Sequence, residues 1–316
     1  MSKINFLDAP SLIPFPTKTY MKIDGAFLDE QPKTLPRIWE IDFLRGLCIL
    51  LMIIDHFFFL GYHLYGAALS QTATGYEFVE FCYFYWYQSP RDVIHVIVLF
   101  FFFSLSGISC YLSRSNLKRG FGLAYIAFCY SLITLEVDNL FDVGCYSGYG
   151  VLNFLATCIL IYGVVEIICR KNNIALWAIG SISAIVVTVI FFCYTPPSDL
   201  DISLAWLFPT KYFEGLNMLD YSCVSPFTQR QISPGDFFPF IPYSAFFFAG
   251  MALAPILYKN KRTLFPSLEG RWNKPVCAVG KFTLIIYVLH IAALVLLFEI
   301  ITLIATGQAV IFNFAL

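Results

Sequence analysis

The stretch FLRGLCILLMIIDHFFFLG, residues 43–61, decides the fold of this chain. It is nearly as long as the roughly 20 apolar residues that a bilayer-spanning helix needs, yet it contains Arg45, Asp55 and His56. A charged side chain at the centre of a bilayer costs about 2.5–3.5 kcal/mol on insertion scales, so it normally faces the protein interior or a water-filled cavity. The stretch therefore predicts a membrane helix that carries a functional site.

The composition extends this prediction to the whole chain. Of its 316 residues, 59% are hydrophobic and 13% are charged, against about 25% charged residues in an average soluble domain. We predict an all-α, polytopic integral membrane protein with seven spans and no additional soluble catalytic domain. The spans are expected near residues 40–61, 92–112, 119–137, 149–169, 174–194, 237–257 and 279–305. The last is long enough to tilt, to break or to continue as an interfacial helix.

The charge of the loops predicts the orientation. Lys and Arg concentrate in every second connection between spans, and such connections stay in the cytoplasm. We expect residues 1–36 to form a cytoplasmic tail and residues 37–316 to form one transmembrane domain, located in the plasma membrane. The basic residues on the expected cytoplasmic side are Lys3, Lys18, Lys22, Lys33, Arg37, Arg114, Lys118, Arg119, Arg170, Lys171, Lys259, Lys261, Arg262, Arg271 and Lys274.

Several classes of function find no support in the sequence. The net charge of −1 provides no basic field for nucleic acid. No HExxH, paired CxxC, GxGxxG or Walker motif is present, so no metal, nucleotide-hydrolysis or dinucleotide site is predicted. Among the ten cysteines, Cys82, Cys145 and Cys223 fall in segments expected outside, where one disulfide remains an open alternative.

The polar residues of the first span share one helical face. Arg45 and His56 are eleven residues apart, which is about three turns or roughly 16 Å along a helix. Asp42 precedes Arg45 by three residues, so the two can pair. Imidazole titrates near neutral pH, which suits His56 to general base catalysis; the alternative is a hydrogen bond between helices. Asp55 points about 100° away from His56 and need not orient its ring.

Five segments carry a resemblance, and they occur in the same order as in a known family. They are RIWEIDFLRGLCILLMIIDH (37–56), FFFFSLSGISCYLSR (100–114), GYGVLNFLATCIL (148–160), FFPFIPYSAFFFAGMALA (237–254) and VGKFTLIIYVLHIAAL (279–294). Together they resemble the catalytic family of heparan-alpha-glucosaminide N-acetyltransferase, within the transmembrane acyltransferases. Two positions depart from the family pattern: Asn153 stands where many bacterial relatives have His, and Ile291 and Ala292 replace the usual QP after His290.

The resemblance implies transfer of an acyl group, typically acetyl from cytoplasmic acetyl-CoA, to a sugar hydroxyl or amino acceptor across the membrane. It places the catalytic histidine on His56 and its electrostatic support on Arg45. His63 is a second candidate, because the animal enzyme has its histidine slightly later, in the loop after this helix. The acceptor is expected to be a glycan or another small molecule.

Further residues are candidates for binding the donor and the acceptor. Arg114, Lys118 and Arg119 could bind the CoA phosphates together with Arg45, although such clusters are also typical of cytoplasmic loops. Ser106 and Gly107 could admit the pantetheine arm or simply let helices pack closely. The candidates for the acceptor are His95, Asn153, Asp55 and His290, with interfacial or interhelical hydrogen bonding as the alternative for the polar positions.

Two other functions remain open at this stage. In a proton-coupled transporter or permease, the polar stripe would be a proton or substrate path; a non-catalytic scaffold is the other alternative. Besides the lipid bilayer and the acceptor, the sequence specifies no partner, and a homodimer is among the oligomeric states that it leaves open.

Overall fold

The structure, a computed structural model, describes residues 37–141, 143–172, 174–193 and 236–311 together with two short strands. Seven of the described helices are long and apolar enough to cross a membrane. They are α1 (Trp39–Phe59, continued by a π-helical turn at Leu60–Leu64), α4 (Ser89–Leu112), α5 (Asn116–Phe141), α6 (Val151–Asn172), α7 (Leu176–Cys193), α8 (Phe240–Leu257) and α10 (Thr283–Thr306). The predicted all-α membrane fold with seven spans is confirmed.

Shorter elements connect these helices. After α1, α2 (Gly66–Leu69) and α3 (Ala73–Trp86) form an aromatic-rich hairpin. Before α8, strands β1 (Cys223–Val224) and β2 (Gln231–Ile232) pair in antiparallel fashion. A 3₁₀ turn (Pro266–Leu268) and α9 (Lys274–Lys281) precede α10. The last predicted span is thus broken at Phe282, between α9 and α10, as its length allowed.

Helix α8 packs between α4 and α7. The contact with α4 is unusually close, because a Cβ atom placed on Gly250 would lie 2.0 Å from the carbonyl oxygen of Ser104. On the other helix, Gly107 faces the backbone of Phe247 in the same way. Ser104 Oγ donates a hydrogen bond to the Phe246 carbonyl at 2.9 Å. Small residues therefore let two membrane helices approach as far as their backbones allow.

The remaining helices form two further packing units. Helix α5 pairs with α6, and α1 packs against α9, α4 and α10. The main hydrophobic core lies between α4, α6 and α8 and includes Phe103, Phe154, Phe247 and Met251, each almost completely buried. By contrast, α7 has long apolar side chains such as Ile185 and Phe192 on its exposed surface, as expected of a helix that faces lipid.

Side-chain contacts bring the basic segments to one end of the helix bundle. Glu40 at the start of α1 accepts hydrogen bonds from Thr263 Oγ1 and the Leu264 amide, which lie in the loop after α8. Asn116 at the start of α5 donates to Glu166 near the end of α6. We call this end, where α1 and α5 begin and α4, α6 and α8 end, the basic end of the bundle.

The thiols of Cys82 and Cys145 are free, and the side chain of Cys223 lies outside the described residues. Near the end of α10, the buried Glu299 accepts hydrogen bonds from Tyr65 Oη at 3.0 Å and from the amides of Val310 and Ile311 at 3.1 and 2.7 Å. This carboxylate fixes the segment after α10 against the start of the α2–α3 hairpin.

Candidate active site

Arg45 lies at the basic end, in contact with the last turn of α4. Its guanidinium donates to Ser109 Oγ and lies 3.8 Å from Asp42, the pairing that the three-residue spacing predicts. Asp42 also pairs with Arg37 at 3.0 Å. Arg45 is therefore held by α4 and by its own helix, three turns away from His56.

Arg119 reaches the same turn of α4 from the next helix. Its guanidinium donates to the Ser109 carbonyl at 3.3 Å, so Ser109 contacts two arginines from two different helices. Asn116 donates to the Cys110 carbonyl and to Glu166, both at 2.9 Å. The end of α4 thus carries two closely placed positive charges on a framework of satisfied hydrogen bonds.

The other predicted donor residues are arranged differently. Arg114 and Lys118 are exposed at the basic end. Ser106 donates its hydroxyl proton to the Phe102 carbonyl at 3.0 Å, and Gly107 lies against the backbone of α8. The structure therefore brings Arg45 and Arg119 together, whereas Gly107 is used in helix packing and Arg114 is not held by Ser109.

His56 lies next to His290 inside the bundle, although the two are far apart in the sequence. Their ring centroids are 5.0 Å apart and the rings meet edge to face at 81°. His290 is only 7% exposed, and its Nε2 has no hydrogen-bond partner among the residues that the structure describes. We refer to these two residues as the imidazole pair.

The backbone of each helix assigns the tautomer of its ring. His56 Nδ1 lies 2.8 Å from the Met52 carbonyl, and His290 Nδ1 lies 2.6 Å from the Tyr287 carbonyl. A carbonyl oxygen can only accept, so each Nδ1 carries the proton when the ring is neutral. Each Nε2 is then a lone-pair base, which is the form that general base catalysis requires.

Two residues near the imidazole pair were missed by the sequence reasoning. Tyr287 lies one helical turn before His290, and its ring centroid is 5.7 Å from that of His290. Its hydroxyl donates to Asp236 Oδ2 at 3.0 Å. Burial raises the pKa of Asp236 above its ordinary value. The sequence gives little indication of a functional role for either residue. Asp236 lies just before a span, and Tyr287 is one of several aromatic residues in apolar segments.

Asp55, next to His56 in the sequence, forms an ion pair with Arg91 of α4. Arg91 Nε and Nη2 donate to the two Asp55 oxygens at 2.8 and 2.5 Å, and Tyr85 Oη donates at 3.1 Å. Arg91 also lies over the ring of Trp86, 3.9 Å from its centroid. The Asp55 carboxylate is thus bound to Arg91 and Tyr85, while the His56 Nδ1 is bound to the Met52 carbonyl. His95, one turn after Arg91, is partly buried.

His63 and Asn153, also predicted for the site, have other surroundings. His63 is exposed in the π-helical turn. Its ring contacts that of Phe59 at a centroid distance of 4.7 Å and meets that of Trp86 edge to face at 5.5 Å. Asn153 donates to Ser131 Oγ at 3.0 Å and to the Gly148 carbonyl at 3.1 Å. Neither contacts the imidazole pair.

Within the described ranges, no three His, Cys, Asp or Glu side chains come together as metal ligands would. The arrangement instead provides a pair of imidazoles in the bundle and a pair of guanidinium groups at the basic end.

Comparison with known proteins identifies the family of this chain. The family model "Heparan-alpha-glucosaminide N-acetyltransferase, catalytic" matches residues 37–292, which include both histidines of the imidazole pair and both arginines. No curated protein and no solved structure matches the chain. The family predicted from the five segments is confirmed. The chain belongs to the heparan-alpha-glucosaminide N-acetyltransferase catalytic family and is a multi-pass membrane acetyltransferase.

Proposed function

We propose that this protein transfers an acetyl group from acetyl-CoA, bound at the basic end, to a sugar hydroxyl or amino group that reaches His56 from the opposite end. The observation that carries the proposal is the His56 ring, whose Nδ1 is bound to the Met52 carbonyl so that Nε2 is the basic nitrogen. Its location beside His290 keeps that base within the protein rather than towards lipid.

His56 acts as the general base in this reaction. Its Nε2 takes the proton of the acceptor hydroxyl or amine while the acceptor oxygen or nitrogen attacks the thioester carbonyl carbon. The carbon–sulfur bond then breaks, CoA leaves as the thiolate, and the proton passes from His56 to the sulfur. A well-placed base of this kind contributes about 10²–10⁴-fold to the rate.

Arg45 and Arg119 bind the donor. Both contact Ser109 at the end of α4, and two guanidinium groups at one point match the closely spaced phosphates of CoA. Arg45 is three turns away from His56, so its role is to hold the donor rather than to contact the imidazole. The pantetheine arm spans the distance between them. Arg114 and Lys118 attract the polyanionic donor over a longer range.

The orientation follows from the same residues. Because cytoplasmic connections carry an excess of Lys and Arg, the basic end faces the cytoplasm and meets acetyl-CoA there. The acceptor then enters from the other side of a cell membrane, and the transfer crosses the bilayer.

The test uses the full chain in detergent with radiolabelled acetyl-CoA. Glucosamine and glucose are offered separately as probe acceptors, because the first has an amino group and the second only hydroxyls. Label should appear on at least one sugar. His56→Ala should lower the rate by about 10²–10⁴-fold, whereas a much smaller effect is expected for His63→Ala.

The other outcomes are equally informative. Loss of transfer in His63→Ala with retention in His56→Ala would move the base to His63. Proton-coupled uptake by reconstituted vesicles without acetyl transfer would favour the transporter. A parent protein that neither transfers acetyl nor is stabilised by CoA would favour a non-catalytic scaffold.

A further inference from the structure

Asp236 connects three segments of the chain at a single oxygen atom. Its Oδ2 accepts hydrogen bonds from Tyr287 Oη at 3.0 Å, from the Val151 amide at 3.4 Å and from Ser147 Oγ at 3.4 Å. These donors belong to α10, to the first residue of α6 and to the loop before α6. The reaction described above makes no use of this carboxylate, so its function needs a separate explanation.

The backbone around Asp236 fixes the position of its side chain. A Cβ atom at Gly150 would lie 2.2 Å from Asp236 Oδ2, so the close approach requires a residue without a side chain. The Phe238 amide donates to the Tyr149 carbonyl at 2.9 Å, which holds the two segments side by side. The carboxylate is therefore presented to Tyr287 by a rigid junction.

Tyr287 connects this junction to the imidazole pair. Its hydroxyl is bound to Asp236, its ring lies against the His290 ring, and its backbone carbonyl accepts the His290 Nδ1 proton. Tyr287 is largely buried. A buried ring that is bound at both ends has little freedom to move, and neither has the imidazole that packs on it.

We propose that Asp236 is a positioning residue that acts through the Tyr287 hydroxyl to hold the imidazole pair in its edge-to-face arrangement. The predicted effect of Asp236 on the rate rests on the proposed acetyl transfer. The predicted effect on the position of the two rings does not. A misplacement of about 1 Å at a reacting group can cost about 10²-fold in rate. The contribution of Asp236 should therefore appear in kcat.

The test compares Tyr287→Phe, Asp236→Asn and the double variant in the full chain. Tyr287→Phe removes one oxygen and keeps the ring, while Asp236→Asn keeps the shape and removes the charge. Each single variant should lower kcat by about 10- to 100-fold and leave the KM for acetyl-CoA unchanged. Because both changes break one unit, the double variant should be no slower than the slower single variant.

The chain supplies a matched control. Tyr65 Oη donates to Glu299 at 3.0 Å, so Tyr65→Phe breaks an equally long bond between a tyrosine and a carboxylate that also involves α10. This control measures the loss that such a bond causes through stability alone. Tyr65→Phe should keep kcat within about twofold of the parent.

A second readout does not depend on activity. Diethyl pyrocarbonate modifies imidazole nitrogens, and peptide mass spectrometry gives the rate at each histidine. In Tyr287→Phe and Asp236→Asn, the labelling of His290 should rise several-fold relative to the exposed His63, while Tyr65→Phe should leave that ratio unchanged.

The outcomes separate the two proposals. If the parent transfers no acetyl group, the proposed function fails, and the labelling ratio alone decides the role of Asp236. If His290 labelling in both variants equals that of the parent, Asp236 does not position the imidazole pair. A kcat in Tyr287→Phe that matches Tyr65→Phe would overturn the proposal as well.

Discussion

Replacing Arg91 by methionine should destabilise the protein by about 3 kcal/mol. The Arg91 and Asp55 side chains are only 14% and 17% exposed, and two short hydrogen bonds join them. Removal of one partner from a buried ion pair costs about 3–5 kcal/mol, and an unpaired carboxylate in a membrane helix costs about 2.5–3.5 kcal/mol. Tyr85 still donates to Asp55 in the variant, which favours the lower part of both ranges.

The free energy of unfolding is measured in mixed micelles by titration with dodecyl sulfate and followed by circular dichroism. Adding Asp55→Asn to Arg91→Met should recover at least half of the loss, since no buried charge then remains. Arg170→Ala serves as the control, because that side chain is 76% exposed and its pair with Glu166 should contribute about 0.5 kcal/mol. A loss below about 1 kcal/mol in Arg91→Met would refute the view that Asp55 depends on this partner.

Three further predictions concern the two ends of the bundle. Arg119→Ala should raise the KM for acetyl-CoA about tenfold, since a hydrogen bond to a charged group contributes about 1.5–3 kcal/mol. Arg114→Ala should raise this KM less. An equal rise in the two variants would contradict the role of Ser109 in placing Arg119. Burial raises the pKa of Asp236 above its ordinary 3.8, so the folded chain holds this proton more tightly than the unfolded chain. Protonation of Asp236 therefore stabilises the folded chain fully below about pH 4, and this stabilisation is lost as the pH rises through the folded-state pKa. As the pH rises through that pKa, the melting temperature of the parent should fall relative to that of Asp236→Asn. Melting temperatures that change in parallel with pH in the two proteins would rule out a raised pKa of Asp236. Glu299→Gln should speed amide hydrogen exchange at Val310 and Ile311 by about tenfold. Exchange at Cys145, whose amide donates to Asp138, should not change. Faster exchange at all three amides would instead indicate global destabilisation.

The sequence predicts those features that depend on local periodicity. The spans follow from hydropathy, and the Asp42–Arg45 pair and the divergence of Asp55 from His56 follow from 3.6 residues per turn. No local pattern brings His290 to His56 or Tyr287 to Asp236, because those contacts arise from the packing of α10 against α1 and from the junction before α8. The choice of Arg119 rather than Arg114 to contact Ser109 likewise depends on the direction in which α5 leaves its connecting loop.

The carbonyl that holds each Nδ1 belongs to the same helix as its histidine, three or four residues earlier. If α1 and α10 slide or tilt against one another, the gap between the two Nε2 atoms changes, but the nitrogen that carries the hydrogen does not. The spacing of the two rings and the tautomer of each ring are thus set by different contacts in this bundle. A displacement of one helix would therefore change how closely the two rings meet, while each Nδ1 stays on the carbonyl of its own helix.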